Sequence, residues 1–251
     1  MNISSVSSNI YGQLASGNRL TSASVDPAGL AISEKMGSQA GGLTQGARNI
    51  KDGMGALNVS DGALSGITDN LQRIHELSLQ ASNGLLSSSD KGAIQKEIDG
   101  LLQGIDDIAN NTQFNTKNVL NNTNGMNIAA NPDGSGMNVS NVNSTVKALG
   151  LEGYNVTGNF DLSKVTDALS AVSSQRSRLG AQTNALEHAY NQNNNTVENV
   201  VSSKSKIADL DMPQAISEMK KKELRNSFQM MMQKKKQDDD VNNNARFFAG
   251  L

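Results

Sequence analysis

Cysteine and tryptophan are absent from the 251 residues, proline occurs only three times, and aromatic residues make up 3% of the chain. Without cysteine there is no disulfide, no thiolate nucleophile and none of the common thiolate zinc sites. The shortage of aromatics argues against a thick globular core and for packing between aliphatic seams, in keeping with a hydrophobic content of 36%. No apolar run is long enough to span a bilayer, so membrane insertion is not expected. Charge of neither sign dominates: 22 basic and 24 acidic residues leave a formal net charge of −2 and no basic field for nucleic acid. The opening stretch MNISSVSSNIYGQLASG has neither the basic nor the apolar region of a secretory signal, so any export is expected to take another route.

What the chain does contain is long blocks uninterrupted by proline, because Pro27, Pro132 and Pro213 are the only helix breakers of that kind. Asp26 before Pro27 reads as an N-cap. Beyond it Leu57, Leu64, Ile67, Leu71, Ile74 and Ala81 follow the four-three alternation of an a/d seam, which predicts a first long helix to about Ser82. Its weakness is glycine, recurring from Gly29 to Gly66 at a cost of roughly 1 kcal/mol each against alanine. Gly84 to Asp90 is a turn with cap-type residues, and Ile94, Ile98, Leu101, Ile105 and Ile108 define a second helix. A third seam runs through Leu162, Val165, Leu169, Val172, Leu179, Leu186, Tyr190, Val197, Val200 and Ile207, interrupted by Arg176, Thr183, Asn193 and Lys204. At about 1.5 Å per residue the three helices span roughly 80, 30 and 70 Å, so only the third is long enough to cover what the second leaves bare on the first. The expected fold is all-α, an elongated antiparallel helical rod of coiled-coil-like packing.

Between the second and third helices, Met126 and Ile128 alternate with polar residues, Asn131-Pro132-Asp133-Gly134 supplies turn chemistry, and Met137 and Val139 resume the alternation. One small β-hairpin is predicted there, in a surface excursion with little core of its own. The final forty residues open at Met212-Pro213 and carry an apolar face of Ile216, Met219, Leu224, Phe228 and Met230-Met231-Met232. A terminal face without an obvious internal partner points to intermolecular use. Leu224, Phe228, Met231, Phe247 and Phe248 are the candidate intersubunit residues. The blocks Lys234-Lys235-Lys236, Asp238-Asp239-Asp240 and Asn242-Asn243-Asn244 predict a tail that lacks order when the protein is alone.

Several long motifs in order resemble the bacterial flagellin family: DPAGLAISEKM from Asp26, GLTQGARNIKDGM from Gly42, LQRIHELSLQASNG from Leu71, IQKEIDGLLQGIDDIANNTQFN from Ile94, and ALSAVSSQRSRLGAQTNALEHAYNQNNNTVENVV within the block from Ala168 to Met219. The resemblance implies a rod of paired N- and C-terminal helices tipped by a helical terminal domain. It divides the chain into a terminal-domain segment at 1–25, short and disordered in the monomer, rod helices at 26–116, a hairpin and loop region at 117–161, a rod helix at 162–211 and a second terminal segment at 212–251. The room between the two blocks is too small for another core domain, so a short form without the outer variable domains is implied. So is a secreted structural subunit of the flagellar filament, polymerising with its own copies through open, heterologous contacts. Export would use a dedicated chaperone and the flagellum's own export apparatus. The chain begins shortly before Leu14-Ala15-Ser16-Gly17, which implies a shortened inner helix. A hook-filament junction protein and a non-polymerising secreted ligand are the ranked alternatives.

Enzyme chemistry has little to stand on. His75 and His188 are the only histidines, and His75-Glu76 begins an HExxH-like string in which Leu79 occupies the place of the second histidine. Neither a GxSxG elbow nor a Walker loop occurs, and Gly134-Ser135-Gly136 is followed by Val139 where a dinucleotide fingerprint needs glycine. No cofactor and no metal are expected. Arg176 and Asn193 on the third seam either fix register or face solvent. The resemblance adds one further partner, a vertebrate innate immune receptor of the Toll-like class, whose recognition motif in the family matches Arg73, Leu77 and Glu97, with His75 where arginine is common.

Overall fold

The computed structural model describes the backbone of residues 3–249 and the side chains of residues 10–241. Its elements in chain order are α1 (Ile3–Ser16), α2 (Pro27–Ala81), α3 (Ser88–Asn111), β1 (Gln113–Phe114), β2 (Lys117–Asn118), β3 (Met126–Ala129), β4 (Gly136–Val139), α4 (Ser163–Ala208) and α5 (Met212–Ala249). They fall into two compact units, Met1–Ser38 with Asn199–Leu251, and Gln39–Glu198. The fold is mostly helical, and its starts are written locally. Asp26 Oδ1 accepts the Gly29 N–H at 2.9 Å at the head of α2. Ser87 and Asp90 form a reciprocal capping box on α3. Asp211 Oδ1 accepts the Gln214 N–H at 3.2 Å on α5. Each side-chain oxygen satisfies an amide that the first turn leaves without a partner.

In the 39–198 unit three helices run antiparallel, and the pairs across them fix the register. Lys51 Nζ lies 4.8 Å from the Tyr190 ring, and Asp61 pairs with Arg176, so α4 descends as α2 rises. Arg73 likewise pairs with Glu97, and the Asn70 side chain lies beside Gly104, so α3 also runs against α2. The core is a continuous aliphatic cluster from Ile50 and Leu57 through Leu64, Ile67, Leu71 and Ile74 on α2, joined by Ile98 and Ile105 of α3 and by Val165, Val172, Leu179 and Leu186 of α4.

The predicted hairpin is β3–β4, with Met126 opposite Val139 and Ile128 opposite Met137. A second antiparallel pair, β1–β2, was not foreseen; its turn residues Asn115 and Thr116 both have positive φ, 48° and 65°. This is the geometry that two-residue hairpin loops favour, but threonine is a poor carrier of it.

The 117–161 region needs correction. It is no superficial excursion, since Val119, Leu120, Val139, Val142, Val146, Leu149, Leu151, Tyr154 and Val156 are all buried in the main cluster. The register explains why. The Asp61–Arg176 pair brings the start of α4 level with about the Ile74 turn of α2. Beyond that point α4 cannot cover the α2–α3 seam, and the incoming loop does so. It runs along α3, with the Val146 N–H donating to Asp106 Oδ1 at 2.8 Å and the Val156 N–H donating to Gln95 Oε1 at 2.7 Å.

Hairpin β3–β4 lies close against the unit's helices. Asn49 Nδ2 of α2 donates to the Ala129 carbonyl at 2.8 Å, and buried Asn193 of α4 donates to the Ala130 carbonyl at 2.7 Å. Gly46 lets that strand approach, because a Cβ there would collide with the Ala130 carbonyl. The glycine that weakens α2 as a helix is what admits the hairpin.

In the other unit α1 and α5 pack together, and Tyr11 Oη donates to Glu223 Oε1 at 2.9 Å. The link from α1 to α2 is stitched to the link from α4 to α5: the Arg19 N–H donates to the Ala208 carbonyl at 2.7 Å and the Leu210 N–H to the Gly17 carbonyl at 2.9 Å. Two expectations of irregular chain differ from the structure, since α1 is helical and α5 continues through the Lys234 to Asn244 blocks. No proline or glycine interrupts α5 after Pro213, and Lys234, Lys235 and Lys236 stand four residues before Asp238, Asp239 and Asp240, a spacing compatible with helix.

Candidate assembly surface

The residues singled out from the sequence divide by exposure. Among the seam positions Leu57, Leu64, Ile67, Leu71, Ile74, Ile94, Ile98, Ile105, Val165, Val172, Leu179 and Leu186 are buried, while Leu101, Ile108, Leu162, Leu169, Val197, Val200 and Ile207 are half-buried. The polar interruptions of the third seam also have assignments. Half-buried Arg176 donates to both carboxylate oxygens of Asp61, at 2.8 and 3.3 Å, and Asn193 holds the hairpin. Of the two readings left open for them, register is the one the contacts support.

On α5 the situation is reversed. Leu224 is 73% exposed, Phe228 60% and Met231 65%, and their spacing of four and three places them on one helical stripe. With Lys221 and Arg225 they line a shallow recess. Apolar side chains of this size gain about 1.5–3 kcal/mol each when fully buried, so an uncovered stripe is a standing drive for association. Phe247 and Phe248 lie outside the residues whose side chains are described.

Arg73 and Glu97 are exposed and form a bridge between α2 and α3, with Arg73 Nε and Nη2 at 2.9 and 2.8 Å from Glu97 Oε1 and Nη1 at 3.2 Å from Glu76 Oε2. Leu77 requires correction as a surface candidate: it is 2% exposed and belongs to the core. At that level α2 is flanked by both α3 and the 149–156 loop, and two partners bury a wider face than a single a/d stripe. Among the described residues no group of three or more histidine and carboxylate side chains is placed to hold a metal ion. Sequence pattern alone missed Gln95, a buried residue whose amide donates to the Tyr154 carbonyl and accepts from Val156; a lone glutamine beside Ile94 carries no periodic signal.

Both ends of this arrangement match known families of sequence. Residues 2–125 match the model of the bacterial flagellin N-terminal helical region, and residues 162–241 match that of the bacterial flagellin C-terminal helical region. The chain belongs to the flagellin family. It is 46% identical over 156 residues to the phase 1 flagellin of Salmonella naestved, a stretch covering 62% of this chain and 31% of that one. It therefore spans about a third of the length of the curated relative it matches. The crystal structure of Bacillus cereus flagellin superposes with a TM-score of 0.51 at 28% identity, covering 58% of this chain and 88% of that chain. A flagellar hook-associated protein candidate from Vibrio parahaemolyticus gives 0.62 at 14% identity over 74% of this chain and all of that one, a likeness of fold alone. In this flagellin-family chain the span between the matched regions, 126–161, holds hairpin β3–β4 and the core-covering loop.

Proposed function

We propose that the chain is a structural subunit of the bacterial flagellar filament, outside the cell, and not an enzyme. The observation that carries this reading is the uncovered stripe of Leu224, Phe228 and Met231 on α5, in a chain whose two helical ends match flagellin regions. A stripe that no described residue of its own chain covers is suited to neighbours repeating along an open helical lattice. Delivery by an export chaperone and passage through the flagellar export apparatus belong to the same reading. Glycine-weakened helices that depend on tertiary packing for their stability suit a chain threaded out before it folds. Recognition by a Toll-like receptor is supported by the exposure of Arg73 and Glu97 and opposed by the burial of Leu77.

The test is electron microscopy of purified protein seeded with filament fragments, alongside a Leu224→Asp variant. Long tubes from the unaltered chain and their loss in the variant are expected. Monomers that stay unassembled at high concentration, seeded or not, would transfer the function to the non-polymerising ligand reading, and short capped stubs would transfer it to the junction protein.

A further inference from the structure

Met230 and Met231 are the most exposed methionines among the described residues, at 64% and 65%, with Met232 at 46% and Met212 at 39%, whereas Met36, Met54, Met126, Met137 and Met219 are half-buried. Three successive positions sweep roughly 200° of a helix's circumference, so a body seated on the Leu224–Phe228–Met231 side of this turn of α5 meets the Met231 thioether. Met231 shares its stripe with Leu224 and Phe228 and lines the same recess. Since the chain has no cysteine, thioethers are the softest nucleophiles it offers to an oxidant.

We propose that Met231, on the assembly stripe, and its neighbours Met230 and Met232 form a peroxide modification site, and that conversion of Met231 to sulfoxide blocks the docking of a second copy; this rests on the filament reading above. In each step the thioether sulfur attacks the outer oxygen of hydrogen peroxide. The O–O bond breaks, an S–O bond forms, water leaves, and sulfur loses the two electrons that the peroxide gains. The product replaces an apolar, adaptable side chain by a strong hydrogen-bond acceptor. Seating that oxygen in an apolar contact leaves it without a partner, whereas in the free monomer water solvates it.

The experiment treats the full-length monomer with graded hydrogen peroxide, maps sulfoxides by peptide mass spectrometry, and measures seeded elongation before and after. Sulfoxide is expected first at Met230 and Met231, with elongation at low monomer concentration slowed and the monomer concentration it needs raised about tenfold or more, the effect on affinity of one unpartnered buried acceptor. Enzymatic sulfoxide reduction should restore the rate. In a Met230→Leu, Met231→Leu, Met232→Leu variant, the ratio of treated to untreated rates should stay near unity, each protein being compared with itself. Unchanged elongation of wild type carrying sulfoxides at 230–232, or no recovery after reduction, overturns the inference and leaves the filament reading standing. Failure of untreated wild type to elongate overturns both.

Discussion

Replacing Gly46 by alanine sets helix propensity against packing, because the two predict opposite signs. In an open helix interior, glycine to alanine is worth about 1 kcal/mol of stabilisation. At position 46, however, the new Cβ would press on the Ala130 carbonyl, with the carbonyl carbon 2.6 Å and the Ala130 Cα 3.2 Å away. Overpacking against a fixed wall costs about 1–3 kcal/mol. This wall is fixed, since the Ala130 oxygen accepts from Asn193 Nδ2 at 2.7 Å and cannot retreat without stretching a bond worth about 1 kcal/mol. The balance is a net loss of up to about 2 kcal/mol once the propensity gain of about 1 kcal/mol is subtracted from the overpacking cost. Gly62, on the same helix, would place its Cβ where nothing lies within 4 Å, so Gly62→Ala should gain up to about 1 kcal/mol. Urea unfolding followed by circular dichroism at 222 nm reads both signs in one host, through midpoints at constant slope. Adding Asn193→Ala to Gly46→Ala should give less than the sum of the single losses, because the released carbonyl can then yield. If Gly46→Ala raised the midpoint alongside Gly62→Ala, the claim that this glycine admits the hairpin would be wrong.

Asn193→Ala alone should destabilise by about 1–3 kcal/mol in the same assay, because it leaves the Ala130 carbonyl without its amide donor beside α4. Thr116→Gly should stabilise by about 1 kcal/mol, since glycine carries the φ of 65° without steric cost in the β1–β2 turn; a lowered unfolding midpoint would refute that. The Ser87 hydroxyl and N–H, donating to the Asp90 carboxylate, hold it below the usual aspartate range. A carboxyl depressed in the folded state contributes stability that is present above its ordinary pKa and lost as pH falls through the lowered folded value. Acidification should therefore loosen the first turn of α3, and NMR should find the Asp90 titration moving upward in Ser87→Ala; an unmoved midpoint would show that the cap is not its cause.

What the sequence made legible was local chemistry and long periodicity. Asp26-Pro27 announces the start of α2 and Ser87 to Asp90 that of α3, because a cap and its amides lie within four residues of each other. The heptad phases of α2 and α4 predict aliphatic seams because the same face must stay inward over many turns. The loop from Val142 to Val156 gave no such signal. Its apolar residues are spaced irregularly around Gly150 and Gly153, which turn the chain at positive φ, and their burial follows from where α4 begins relative to α3. Turn β1–β2 was hidden for another reason: Asn115-Thr116 lacks the glycine that usually marks positive φ at both positions. Leu77 was misplaced because a motif carries residue identity and not depth, and depth here depends on a second covering element contributed by a distant loop.

The two units differ in what holds them, and the difference bears on assembly. The continuous core cluster lies entirely within 39–198, from Ile50 to Leu186. Among the described residues of the other unit, the buried apolar side chains are Leu20 and Ala208, while Leu224, Phe228 and Met230 to Met232 face outward. Its joints are backbone and side-chain hydrogen bonds, among them Arg19 to the Ala208 and Ile207 carbonyls and Tyr11 to Glu223. Hydrogen bonds exchanged against water contribute about 1 kcal/mol apiece, whereas burying one large apolar side chain contributes about 1.5–3. A unit built on the first kind of contact, with the second left unused on its surface, gains its larger share of stability only when another body covers α5. On the filament reading proposed above, association and stabilisation of that unit are therefore coupled. On that reading the exposed side chains of α5 would set both how tightly copies bind and how firmly the ends are held, and one oxygen on the Met231 sulfur would act on both.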